Sequence, residues 1–306
     1  MRYSPQAPAA VVMVRPHNFT VNEQTAQDNT FQAAGDAIRD MSADAYLEIT
    51  VAAETLREHG VSVHLFEDTG TATPDSVFPN NWFSTHAGGH VAIYPMKANN
   101  RRLERRSDII EMLKSNYRVQ DVVDYSGLEL DGLFLEGTGA MVLDHIGRVA
   151  YAVRSDRIDP VMLERFSTQF GFEPMMFDAC DARGVPIYHT NVLMCVGTDF
   201  ALIGASMIPD HVRRDEILAR LRNSGRHVVE LQDNQIGKFA GNALELQGRN
   251  GRLLAMSTTA FSALDQDQRD TIESYVEIVA LGIPSIEMAG GSVRCTLAGV
   301  HLAARG

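Results

Sequence analysis

The sequence predicts an α/β protein in which strand-turn-strand units close into one domain with helices outside, and three observations carry that prediction. An apolar run, a polar or glycine turn and a second apolar run recur around Gly88-Gly89, Asp144 to Arg148, Gly197-Thr198-Asp199 and Gly248 to Arg252. The recurrence has a period of very roughly 50 to 60 residues with helical spacing between several of the units, the mark of a propeller or solenoid. At that period the chain holds about five units, the fifth split between the first and last strands. No Pro/Gly/Ser-rich linker interrupts it, so residues 1–306 are expected to form a single domain.

The elements follow in order. Ala9 to Val14 reads as a buried strand, stopped by Arg15-Pro16-His17-Asn18, where proline denies a sheet its donor. Asn22 to Asn29 is polar, and Gln32 to Gly60 has apolar spacing suited to one or two helices ending at a glycine. Val61 to Phe66 alternates as a strand does, and His64 on it is expected to have no chemical role. His90 to Tyr94 is a further strand, and Arg101 opens a helix running to about Asn116. Pro186 to Val196 reads as a strand whose mouth carries the polar trio His189-Thr190-Asn191. Ala289 to Ala298 reads as a glycine-led turn that presents Cys295 before a last apolar segment.

Composition narrows the function. Hydrophobic content of 45% with 22% charged residues is that of a globular protein. A formal net charge of -12 argues against nucleic acid or an anionic membrane as partner, because both would be repelled. A small molecule is the expected partner. Three cysteines, at 180, 195 and 295, with no CxxC and no close Cys/His spacing, predict neither a disulfide framework nor a zinc site. The first apolar run is too short for a signal peptide or a membrane span, so a cytoplasmic protein is expected.

Among the cysteines, Cys295 is the attractive nucleophile. Cys195 belongs to an apolar run, and Cys180 sits among carboxylates that disfavour its thiolate. A buried structural thiol is the alternative for Cys295, since a nucleophile also needs a base and an orienting acid. Glu136, between an apolar strand and the turn Gly137-Thr138-Gly139, would be costly to bury alone, and His189 would serve as its partner. Asp75 to His86 contains Pro79-Asn80-Asn81 and the only tryptophan, Trp82, and reads either as a surface turn or as a pocket wall. Four arginines between 101 and 106 read either as a solvated helix face or as a source of one carboxylate-binding guanidinium.

Glu136-Gly137, His189 with Asn191 two positions on, and Gly290-Gly291 before Cys295 together resemble the pentein superfamily over nearly the whole chain. That group includes arginine deiminases, dimethylarginine dimethylaminohydrolases and glycine amidinotransferases. The resemblance implies a five-bladed α/β propeller of pseudo-five-fold ββαβ repeats and a Cys/His/acid site needing no metal or organic cofactor. It implies Cys295, His189 and Glu136 as the catalytic set, and Arg102 and Arg157 as the residues that take the substrate carboxylate. Guanidine-modifying members carry acids where Asn81 and Asn191 stand. A carboxamide supplies no charge but can both donate to an oxygen and accept from an N–H, which suits a neutral ureido group. Asp75 is a more distant candidate for the same group. With Phe78-Pro79-Asn80-Asn81-Trp82, the pattern is similar to the pentein branch described as citrulline-utilisation hydrolases. The expectation is citrulline hydrolysis to ornithine, ammonia and carbon dioxide. The alternatives are an arginine deiminase, a dimethylarginine hydrolase, an amidinotransferase, or a non-catalytic amino-acid-binding propeller. A homodimer is left open.

Overall fold

The computed structural model describes residues 4–26, 28–33 and 41–305, arranged as five three-stranded sheets with a common pattern of connection. The first begins with β1 (Ala10–Pro16), whose apolar run Ala10 to Val14 is buried throughout. The helix Ser42–Glu58 then buries Ala45, Ile49, Ala52, Ala53 and Leu56 on one face. Gly60, at φ +90°, turns the chain into β2 (Ser62–Asp68), which lies parallel to β1 with Ala10 opposite Ser62. Of the one or two helices expected between Gln32 and Gly60, the described residues show Ser42–Glu58, and residues 34–40 lie outside them.

The next four sheets each hold an antiparallel hairpin, a crossover containing a helix, and a third strand parallel to the second. β3 (Phe83–His86) and β4 (His90–Ile93) turn at Gly88-Gly89, and the helix Ser107–Asn116 leads to β5 (Asp121–Asp124). β6 (Met141–Asp144) and β7 (Val149–Val153) are followed by the helix Pro160–Phe170, capped by the Asp159 side chain, and by β8 (Glu173–Phe177). β9 (Met194–Val196) and β10 (Phe200–Ile203) precede the helix His211–Asn223, capped by Asp210, and β11 (His227–Glu230). β12 (Leu244–Gln247) and β13 (Arg252–Ser257) precede the helices Thr258–Ala263 and Gln266–Glu273 and then β14 (Glu277–Leu281). All four predicted turns are the hairpin turns. The last strand, β15 (Ala298–Gly299), pairs antiparallel with β1, so the fifth unit is split between the two ends of the chain as expected.

β6, β7, β9 and β10 are buried at every position, and accordingly they are apolar without alternation up to Asp144 at the end of β6. Residues of β3, β6, β9, β12 and β15, the first strand of each unit, line one common cavity. Two local expectations are corrected, and one open alternative is decided. The Arg101 helix breaks into a 3₁₀ turn, Asn100–Glu104, and the helix Ser107–Asn116, with Arg105 extended between them to fork onto Glu129. Pro79–Asn81 is a buried 3₁₀ turn rather than a surface turn, because Trp82 and Phe83 anchor it in the core. The strand expected over Pro186 to Val196 starts only at Met194, since Thr190–Leu193 coils into one helical turn. No helix among the described residues is long and apolar enough to cross a membrane.

Candidate active site

Each unit enters its first strand through a tight turn, and these turns carry the polar residues of the centre. Pro79–Asn81 precedes β3, Gly137–Ala140 precedes β6, Thr190–Leu193 precedes β9, and Val293–Thr296 precedes β15. Ahead of β12 the chain turns through Phe239 to Asn242, with Phe239 at φ +61°. The repeat thus brings residues more than 200 positions apart to one place. Gly139 shows how closely the turns approach: a Cβ there would lie 2.2 Å from Asn81 Nδ2 and 2.8 Å from His189 Nδ1. No side chain fits at that position.

Glu136 and His189 are paired. His189 Nε2 donates to Glu136 Oε2 at 2.9 Å, and the Lys97 backbone N–H donates to Oε1 at 3.2 Å. Burial alone would raise the Glu136 pKa, but Arg157, the His189 hydrogen bond and Arg101 outweigh it and hold the carboxyl well below its usual range. Burial pushes His189 down to about 4 against the pull of Glu136. At neutral pH the pair is therefore a carboxylate beside a neutral imidazole, with the Nδ1 lone pair left over for chemistry.

Cys295 is buried, and its sulfur accepts from two carboxamides, Asn191 Nδ2 and Asn242 Nδ2, each at 3.3 Å. Donors so placed suit a sulfur that carries negative charge. Asn242 is held by two further bonds, donating to the Asn191 carbonyl and accepting from the Arg294 backbone N–H. Sequence reasoning missed it. Its signal is positional: Gly241-Asn242-Ala243-Leu244 leads into the fourth unit as His189-Thr190-Asn191 leads towards the third. The other thiols differ, since burial pushes Cys195 up to about 12 and Cys180 lies apart in a short bridge to Pro186.

Asp75, Asn81, Arg101, Arg157, His189 and Cys295 line one small cavity, with about 240 Å³ of unfilled space when the solvent at its mouth is included. Asp75 accepts from Asn22 through Oδ2, while its buried Oδ1 has no partner among the described residues; the same holds for Asn191 Oδ1. Asn81 is already engaged, accepting from Arg101 Nη1 at 2.9 Å and donating to Asn80. Arg157 touches Glu136 at 3.4 Å and is otherwise bonded to Asp28. The structure does not bring Arg102 to this cavity. Arg102 is half-buried and donates to the carbonyls of Met96 and Lys97, whereas Arg101, fully buried, forks onto Glu104 and faces the site. In a 3₁₀ turn residues i and i+3 align, so 101 and 104 point together and 102 points a third of a turn away.

Residues 22–26 and 28–33 lie over the cavity. Asn22 bonds Asp75, Asp28 bonds Arg157 and Lys97, and the backbone N–H of Ala33 bonds the Met288 carbonyl at 2.9 Å. Asn29 fits against Gly290, whose φ of +81° and missing Cβ allow the approach. Among the described residues no group of three His, Cys, Asp or Glu side chains could hold a metal ion.

A family model described as N,N dimethylarginine dimethylhydrolase, eukaryotic, matches residues 15–302. Among solved structures, the substrate-bound N-terminal domain of ArgZ, an arginine dihydrolase of the ornithine-ammonia cycle in cyanobacteria, is 17% identical with a TM-score of 0.73, over 95% of this chain and 97% of that one. Full-length ArgZ is 18% identical with a TM-score of 0.75, and only 40% of its length is covered. A dimethylarginine dimethylaminohydrolase adduct with S-methyl-L-thiocitrulline is 13% identical with a TM-score of 0.65, over 95% and 98% of the two chains. No curated protein sequence matches. The family match spans nearly the whole chain, and the chain belongs to the N,N dimethylarginine dimethylhydrolase family of the pentein superfamily, as a hydrolase of carbon–nitrogen bonds.

Proposed function

We propose that this chain hydrolyses the ureido group of citrulline to ornithine, ammonia and carbon dioxide, its five sheets closed into one five-bladed propeller that acts as a single catalytic domain. The observation that carries the reading is the nature of the groups on Cys295: two neutral carboxamides, Asn191 and Asn242, and no carboxylate. Neutral donors suit a carbonyl oxygen that becomes an oxyanion, while the unused Asn191 Oδ1 and Asp75 Oδ1 suit the ureido N–H groups.

His189 Nδ1 takes the thiol proton of Cys295, and the resulting imidazolium is held by Glu136. The thiolate attacks the ureido carbon, and its carbonyl oxygen takes the negative charge. Collapse breaks the bond to the ornithine nitrogen, which leaves with the proton from His189 and a carbamoyl thioester on Cys295. His189 then removes a proton from water; the hydroxide displaces the sulfur, which regains a proton, and the released carbamate falls to ammonia and carbon dioxide. Arg157 receives the substrate carboxylate once Asp28 of the covering segment gives way, and Arg101 fixes Asn81. The role first given to Arg102 thus passes to buried residues.

A second reading is supported by Asp75. A carboxylate oxygen without a partner in the cavity would pair with a guanidinium, and ArgZ is described as an arginine dihydrolase. Incubating the purified chain with citrulline and, separately, arginine, and measuring ammonia and the amino-acid product, tests the choice. Ornithine from citrulline with arginine untouched is the expected result. Citrulline, or ornithine, formed from arginine would replace it with the second reading.

A further inference from the structure

Arg294 and Cys295 are neighbours in the chain but line different cavities. Cys295 belongs to the site described above, and Arg294 to a second cavity, of about 570 Å³ of unfilled space partly open to solvent, which the first strands of all five sheets surround. Arg101, Arg157 and Arg226, the three most deeply buried arginines, are paired with Glu104, Asp28 and Asp144. Arg294 is not. Its Nη1 donates to the Leu297 carbonyl at 2.9 Å, and among the described residues no carboxylate pairs with it. Burial pushes its pKa down, and the groups that attract it are only the thiols of Cys295 and Cys195.

The cavity wall explains what is missing. Among the described residues no Asp or Glu lines it. Its amide and hydroxyl donors are spent on the protein: Gln6 Nε2 on the Leu143 and Val196 carbonyls, and Thr85 Oγ1 on the Gly299 carbonyl. His145 and His301 stack at 3.9 Å on the same wall, His301 using Nδ1 on the Pro5 carbonyl. The unused capacity is therefore a guanidinium fork and ring nitrogens in a recess with no counter-charge. A half-buried cation without a carboxylate partner is costly, and a planar fork suits an oxyanion or carboxylate.

We propose that this second cavity binds a small oxyanion or carboxylate, held by Arg294 with His145 and His301 beside it. The site is independent of which amino acid the hydrolase consumes. It bears on Cys295 through two short links. The Arg294 backbone N–H is bonded to Asn242, whose Nδ2 contacts the sulfur, and Arg294 adjoins Cys295 in the chain. A bound anion therefore reaches the nucleophile through Asn242 and slows it.

Calorimetric titration of the full chain with inorganic phosphate, and in a second arm with acetate, tests the site, and the tighter arm identifies the class of anion. The expected result is saturable binding of one anion per chain tighter than about 1 mM, unaffected by citrulline and weakened roughly tenfold or more in Arg294→Gln. Absence of saturable binding to the wild-type chain, equal binding by the variant, or displacement by citrulline would overturn it, the last by placing the anion in the Cys295 cavity. Should Arg294→Gln fail to fold, phenylglyoxal labelling of the wild-type chain decides: phosphate protects Arg294 if the site exists and leaves its labelling unchanged if it does not. Alkylation of Cys295 by iodoacetamide should slow when phosphate is bound; an unchanged rate would overturn the link to the nucleophile.

Discussion

Glu136 stands between one imidazole and two guanidinium groups, so its replacement by glutamine tests catalysis and stability at once. The amide can still accept from His189 but no longer balances an imidazolium, and turnover should fall by about 10²- to 10⁴-fold. Two buried cations also lose a counter-charge, and urea unfolding should show a loss of about 3 kcal/mol. A second contrast lies between neighbours. Arg101→Met leaves Glu104, Asp75 and Glu136 short of a cation and should cost about 3–5 kcal/mol, whereas Arg102→Ala removes two bonds to backbone carbonyls and should cost about 1 kcal/mol with KM unchanged. A raised KM for Arg102→Ala would put that residue back at the substrate. These cases also mark what was legible. Cys295, Glu136 and His189 could be singled out because each is hard to explain by packing alone. The four arginines from 101 to 106 could not be told apart, because the choice depends on 3₁₀ rather than α-helical phase, and that phase leaves no trace in composition.

The hairpins were legible as elements because an apolar, glycine-turn, apolar pattern is repeated four times and each copy supports the others. The single helical turns that enter the first strands were not. A turn of four residues has no periodicity to detect, so Thr190–Leu193 was merged with its strand and Phe239 to Asn242 passed unnoticed. Their importance lies in how tightly they meet around the centre. Gly139→Ala would place a methyl group 2.2 Å from Asn81 Nδ2 and 2.8 Å from His189 Nδ1, and one of those side chains must move. A displacement on the scale of 1 Å at reacting groups lowers turnover by about 100-fold. Circular dichroism should show the fold retained, and the measurement that checks the claim is kcat on citrulline or arginine. An active Gly139→Ala would mean that the turns are less tightly packed than their geometry indicates.

Across the whole molecule, the arrangement that gathers the site also withdraws histidines from water. Burial lowers His189 and His301 to about 4 and pushes His86 and His145 well below their ordinary value, with Arg neighbours adding to each shift and His neighbours to those of His86 and His145. These groups fold neutral. The unfolded chain takes up protons near pH 6.5, while the native chain refuses them until about pH 4, so the unfolded state binds more protons between those values and stability falls as pH falls through them. For His189, 2% exposed and shifted from 6.5 to about 4, the linkage amounts to about 3 kcal/mol. Glu136 does not offset this, because its depressed pKa keeps it ionised in both states above about pH 5. Glu104 works the other way: burial raises it against the fork from Arg101, and it favours the folded state as pH falls. Glu48 and Glu245, also raised by burial, act in the same sense as Glu104, and His64, lowered by burial, joins the other histidines; three carboxyls stand against five histidines, and the histidines should prevail. Urea unfolding followed from pH 7.5 to 5 should therefore show a steady loss of stability, and His86→Asn, which removes a ring packed against Phe166 and Phe170, should flatten the curve while lowering its plateau. Stability that stays level or rises over that range would mean that the core admits protonated histidines.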